Sequence, residues 1–155
     1  METSPPDSPS TGERRTARAQ QGVLILALAG VVLAGYLLAN HYGIGTGVCS
    51  INETVDCDKV NASAYSAILG IPVALLGLLG FVAMFIVGYL GRFYPDTWVG
   101  ERYGLLLVLL ALAGAVFATY LTYIELFVIY AICPFCVASF AVDLGILGVA
   151  AVWLR

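Results

Sequence analysis

The residues of this chain best suited to chemistry are its four cysteines. Two of them, Cys133 and Cys136, bracket Pro134 and Phe135 in the stretch "YAICPFCVASF". Two intervening residues let a pair of sulfurs meet on the first turn of a helix. Unpaired backbone N–H groups and the positive end of the helix dipole there favour thiolate over thiol. Pro134 suits a first-turn position, where its missing N–H would be unsatisfied anyway. Thiolate is the nucleophile of thiol–disulfide exchange, so this geometry activates one of the two cysteines. A C-x-x-C pair also serves as a zinc ligand set in soluble chains. His41 is the sole histidine; it makes neither a metal site nor a relay, and no metal is assigned.

The second pair, Cys49 and Cys57, lies in "CSINETVDCDK", a polar and acidic stretch. Taken alone it reads as a loop-closing disulfide contributing about 2–3 kcal/mol. Beside a C-x-x-C pair it reads differently. A loop can bring a cysteine to the mouth of a helix and can also meet a soluble protein. The four sulfurs then form a relay, from an external dithiol to Cys49 and Cys57, and on to Cys133 and Cys136.

The elements that must position these sulfurs are membrane helices. The chain has 155 residues, 61 % hydrophobic and only 11 % charged, against roughly 25 % charged in a soluble domain. A bilayer core of about 30 Å needs about 20 helical residues. Spans are predicted at about 22–40 and 71–90. The apolar run from Tyr103 to Leu154 is too long for one crossing and must fold back, giving spans at 103–125 and 132–154 with a tight turn near 125–131. The predicted fold is an all-α membrane protein, a four-transmembrane-helix bundle over 21–155. Residues 1–20, rich in Ser, Pro, Thr and Arg, are expected to form a disordered cytoplasmic tail. A net charge of −3 with no basic patch gives no support to a nucleic-acid partner.

Basic residues mark the cytoplasmic side. Arg14, Arg15, Arg18, Arg92, Arg102 and Arg155, six of the seven, fall on one side of an even-numbered bundle. The expectation is a multi-pass plasma-membrane protein with both termini cytoplasmic and every cysteine on the extracytoplasmic, oxidising side.

An electron carrier dissolved in lipid can reach sulfurs at a helix mouth. The predicted acceptor is a membrane quinone of ubiquinone, menaquinone or vitamin K type, held against an aromatic wall. Tyr65 and Phe140 are the preferred wall residues, with Phe135 beside them; Phe81, Tyr120 and Tyr123 read better as ordinary bundle aromatics. Asp143, midway along the fourth span, is costly there and is weighed as a proton donor or as a carboxyl bonded to a neighbouring helix. Glu125 is expected to reach headgroup water. Gly30, Gly35, Gly77, Gly80, Gly114, Gly145 and Gly148 read as close-packing surfaces.

Over nearly all of 22–154 the chain resembles the vitamin K epoxide reductase family, including its microbial homologues. The resemblance is carried by Cys49, by "CDKVNASAYS" from Cys57, by "GIPVALLGLLGF" entering the second span and by "CPFC" in the last. DsbB-type quinone-linked oxidases order the pairs the other way. The resemblance implies that Cys133 and Cys136 are the active-site pair, Cys136 facing the quinone. It makes Cys49 and Cys57 the shuttle, one of which attacks Cys133. It implies that Ser63 hydrogen-bonds a quinone oxygen or a sulfur, and that residues 62–69 form a short half-buried helix over the pocket. Phe140 stands where vertebrate members carry tyrosine, removing a phenolic contact. Many bacterial members carry a fused thioredoxin-like domain; this chain ends at Arg155, so the expected partner is a separate thioredoxin-fold protein outside the membrane. The expected activity is thiol oxidation supporting disulfide formation. The alternatives are reduction of vitamin K epoxide or quinone as the physiological role, and a non-catalytic four-span protein with structural disulfides.

Overall fold

The computed structural model describes residues 11–44, 49 and 51–153. The first helix, α1, runs Thr11–His41. A short helix α2 (Cys57–Asn61) and a two-stranded ribbon, β1 (Ala67–Ile68) and β2 (Ile71–Pro72), precede α3 (Val73–Phe93). After α4 (Trp98–Glu101) come α5 (Tyr103–Ile124), a π-helical turn at Glu125–Ile129, and α6 (Pro134–Trp153). Four helices among the described residues are long and apolar enough to cross a membrane: Arg14–His41, Val73–Phe93, Tyr103–Ile129 and Pro134–Val152. In none is more than 28 % of the most apolar stretch buried inside the bundle. Much of the remaining apolar surface is exposed on the outside of the bundle, as lipid requires.

The helices close a ring in which α1 packs on α3, α3 on α5, α5 on α6 and α6 on α1. Val23, Ala27, Leu107, Ala111, Ile146 and Ala150 fill its centre. Small residues set how closely the helices approach. The Phe81 ring lies against the Gly30 backbone, where any Cβ would collide with it. Gly145 is in ordinary contact with Leu26, but Gly35, Gly80 and Gly148 meet nothing within 4 Å, so only part of the predicted glycine packing is realised.

Three boundaries differ from the sequence reading. Residues 11–20 are helical rather than a disordered tail, while residues 1–10 and Arg155 lie outside the described residues. Once the span below is helical, extension needs no new nucleus, and Arg14, Arg15, Ala17, Arg18, Ala19 and Gln20 are good helix formers. The third span does not stop at Glu125 but widens into the π-turn; the chain reverses at Tyr130, which is left-handed at φ 53°. The loop helix falls on 57–61 instead of 62–69. The Asp56 carboxylate accepts the N–H groups of Asp58 and Lys59 at 2.9 and 3.1 Å and starts the helix at Cys57. Beyond it, Leu69 and Gly70 both have positive φ (53° and 82°), the geometry of a two-residue hairpin turn, which makes 67–72 a ribbon.

Candidate functional site

All four cysteines gather at one end of the bundle. Cys49 and Cys57 are joined by a disulfide, while Cys133 and Cys136 are free. The Cys57 and Cys133 sulfurs are 2.9 Å apart, and those of Cys49, Cys57 and Cys133 lie within 4.8 Å of one another. Cys49, Cys57 and Cys133 are all buried, packed with Leu37 from α1.

The loop reaches Cys133 through its backbone. The Asn52 side chain accepts the N–H groups of Thr54 and Val55 at 3.0 and 2.8 Å, folding the segment into a compact turn. Val55 then forms a parallel bridge with Ile132. The Ile132 N–H donates to the Thr54 carbonyl at 2.7 Å, and the Asp56 N–H donates to the Ile132 carbonyl at 3.2 Å. Residues just before Cys57 are thus stitched to the residue just before Cys133, and the two sulfurs are brought face to face.

On the helix side, the Cys136 N–H donates to the Cys133 sulfur at 3.4 Å, as first-turn geometry predicts. The Cys136 side chain, hydrogen-bonded to Cys133, pulls the Cys133 thiol below its ordinary range. The Cys136 N–H adds to that effect, while burial and the Glu125 carboxylate oppose it. Cys133 is therefore the readier nucleophile of the pair.

Glu125 corrects the sequence reading. It does not reach headgroup water but is buried at 4 % exposure, and its Oε2 accepts the Cys133 N–H at 3.1 Å. The signal was an acid eight residues before the C-x-x-C pair within an apolar run, where an ionisable group is a functional candidate by default.

A cavity of about 420 Å³ opens from the cysteine cluster into the bundle, within the usual range for ligand pockets. Cys136, Ser139, Phe140 and Asp143 line it from α6 at helical spacing, one face of one helix. Ser63, Tyr65 and Ser66 line it from the loop, Phe81 and Phe117 from α3 and α5. Ser63, Tyr65 and Phe140 are thus brought together. Phe135 is not; its ring packs on Tyr36 at 4.8 Å between centroids, away from the cavity wall. Tyr120 and Tyr123 are exposed on the bundle surface. The Ser63 hydroxyl donates to the Val60 carbonyl at 2.7 Å, leaving its oxygen lone pairs to offer a ligand.

Deeper in the cavity, the Ser139 hydroxyl and both Asp143 carboxyl oxygens are buried without a hydrogen-bond partner among the described residues. The hydrogen bond to a neighbouring helix weighed for Asp143 is not made. Its Oδ2 sits where a Cβ on Gly114 would come within 2.9 Å, so this glycine makes room for the carboxyl. Buried polar atoms without partners are rare in folded proteins. Here they sit in an aromatic-walled cavity that opens beside a free thiol. Those groups fit a flat, apolar ring bearing polar oxygens, which is the chemistry of a quinone headgroup.

A four-span helical membrane bundle with a disulfide and a C-x-x-C pair in contact at one end of a cavity defines a membrane thiol oxidoreductase. The sequence model of the vitamin K epoxide reductase family matches residues 22–151, and the chain belongs to that family. No curated protein matches the chain significantly.

Proposed function

We propose that this protein passes electrons from thiols outside the membrane, through Cys49 and Cys57 and then Cys133 and Cys136, to a membrane quinone, so that disulfides form in exported proteins. The observation that carries this reading is the 2.9 Å approach of Cys57 to Cys133, with Cys136 lining the cavity. In the forward exchange the Cys57 thiolate attacks Cys133 of a Cys133–Cys136 disulfide and releases Cys136. Cys49 then attacks Cys57 and releases Cys133. The product is a loop disulfide with a reduced C-x-x-C pair, the arrangement of sulfurs described above.

A bound quinone supplies a two-electron acceptor. The chain's own residues do the rest. Cys136 presents its sulfur to the cavity, Tyr65, Phe81, Phe117 and Phe140 hold the ring and exclude water, and Ser63, Ser139 and Asp143 offer hydrogen bonds to its oxygens. The partner is a thioredoxin-fold protein, reached on the extracytoplasmic face of the plasma membrane, with both termini cytoplasmic. The cysteine end is opposite the loop that holds Arg92 and Arg102, in keeping with the charge rule.

The test uses purified protein in detergent with a reduced thioredoxin-fold protein and a soluble ubiquinone or menaquinone analogue. Quinone absorbance is expected to fall with turnover, and Cys133→Ser or Cys136→Ser to abolish it. Full turnover in either variant would contradict the reading.

A further inference from the structure

We propose that Glu125 is the acid–base group of the C-x-x-C pair, taking a proton from Cys136 when the pair is oxidised and supplying one when Cys136 leaves during exchange with Cys57. The proposal rests on the quinone-linked relay above.

Burial at the end of a membrane span is expensive for a carboxyl group. Glu125 has no cation partner among the described residues to offset it. Its place is set by backbone geometry: it begins the π-turn after α5, and its own carbonyl accepts the Ala131 N–H at 3.2 Å. Such wide turns recur at functional sites because they re-aim side chains. Here the turn aims a carboxyl inward, at the start of α6. Oε2 takes the Cys133 N–H, the Cys136 thiol is within hydrogen-bonding reach of the same carboxyl, and the carboxyl also borders the cavity. Glu125 thus touches both the sulfur that must lose a proton and the space where the acceptor binds.

The chemistry balances around it. In exchange, the S–S bond between Cys133 and Cys136 breaks as the Cys57–Cys133 bond forms, and the departing Cys136 sulfur takes the Glu125 proton. In the quinone half-reaction, Cys136 gives that proton back to the carboxylate, the Cys133–Cys136 bond closes, and two electrons pass to the quinone. One proton follows from Glu125 to a quinone oxygen. Cys57 and Cys49 release two protons to the outer solution as they form the loop disulfide; two return from it, one to complete the quinol and one to reprotonate Glu125 for the next exchange.

A purely structural Glu125 would only clamp the Cys133 N–H, a task the glutamine oxygen performs equally well. The experiment is single-turnover quinone reduction by pre-reduced full-length protein. Glu125→Gln is expected to slow it by about a hundredfold, within the usual contribution of general acid–base catalysis. Glu125→Asp recovers part of the rate, and added formate restores turnover to Glu125→Ala, whose missing side chain enlarges the cavity. In the unmodified protein, heavy water is expected to slow the same step. A Glu125→Gln rate within about twofold of the unmodified protein, or no solvent isotope effect, overturns the assignment while leaving the relay intact. An unmodified protein that consumes no quinone removes the relay itself.

Discussion

Cys57 and Cys133, 76 residues apart in sequence, face each other with sulfurs 2.9 Å apart at the mouth of α6. Cys49 shares a disulfide with Cys57, yet Cys57 is the member set against the helix pair. In the proposed relay this gives the shuttle a direction: Cys57 hands over and Cys49 resolves.

That division of labour predicts a trapped species. In a Cys49→Ser, Cys136→Ser double variant, neither resolving thiol remains, and a Cys57–Cys133 mixed disulfide is expected to accumulate under mild oxidant. Peptide mapping without reduction would identify it. The matching Cys57→Ser, Cys136→Ser variant should give little Cys49–Cys133 adduct, and an equal yield of that adduct would count against the assignment.

The lowered Cys133 thiol carries a pH consequence. A thiol whose ionisation falls below its ordinary value stays thiolate as pH drops through the range where a free cysteine has already protonated. Since the Cys136 side chain is the leading cause, Cys136→Ala should move the Cys133 titration upward, and Cys136→Ser, which keeps a hydroxyl donor, should move it less. Ultraviolet thiolate absorbance in Cys49→Ser, Cys57→Ser protein reads this directly. The stability linked to this shift runs the same way: present at pH above the ordinary thiol value, lost as pH falls through the lowered one.

How much of this was legible in the sequence follows from which physics acts locally. The four spans, the one-ended clustering of sulfurs and the cavity positions of Ser63, Tyr65 and Phe140 follow from apolar length, charge placement, motif spacing and family resemblance. The α2 start was written locally too, in an Asp preceding Cys57, but the helix was expected five residues late. Glu125 was misplaced because hydropathy says only that a carboxyl near a span end can snorkel. Whether it turns inward depends on the π-turn, a backbone choice with no period of its own in the sequence. Phe135 was expected at the cavity as one of the aromatics available for its wall. One residue along a helix is a rotation of about 100°, enough to carry it away from the face shared by Cys136, Ser139, Phe140 and Asp143.

Asp56 offers a test of loop positioning separate from the sulfurs. Asp56→Ala removes two capping hydrogen bonds from α2, which typically costs about 1 kcal/mol. Thermal unfolding in detergent should show that loss. Exchange between the loop pair and the C-x-x-C pair should slow, while quinone reduction by a pre-reduced C-x-x-C pair stays near normal.

Asp143 should show a trade between stability and function. Its carboxyl is buried with no hydrogen-bond partner among the described residues, so Asp143→Leu removes a desolvation cost of about 1–3 kcal/mol and is expected to raise the unfolding temperature. The same change should raise the KM for quinone about tenfold by deleting a hydrogen bond to the ring. Gly114→Ala, which crowds the carboxyl without altering it, should raise KM as well. A leucine variant with unchanged KM would assign Asp143 no part in binding.

The central claim is that both dithiols drain through Cys133 and Cys136 to the quinone, and its most direct test is stoichiometric. Fully reduced protein, freed of reductant and mixed with excess quinone analogue, holds two dithiols. It is expected to consume two equivalents of quinone, Cys57→Ser one, and Cys133→Ser none. If Cys57→Ser also consumed two, or Cys133→Ser consumed any, electrons would be reaching the quinone by another road.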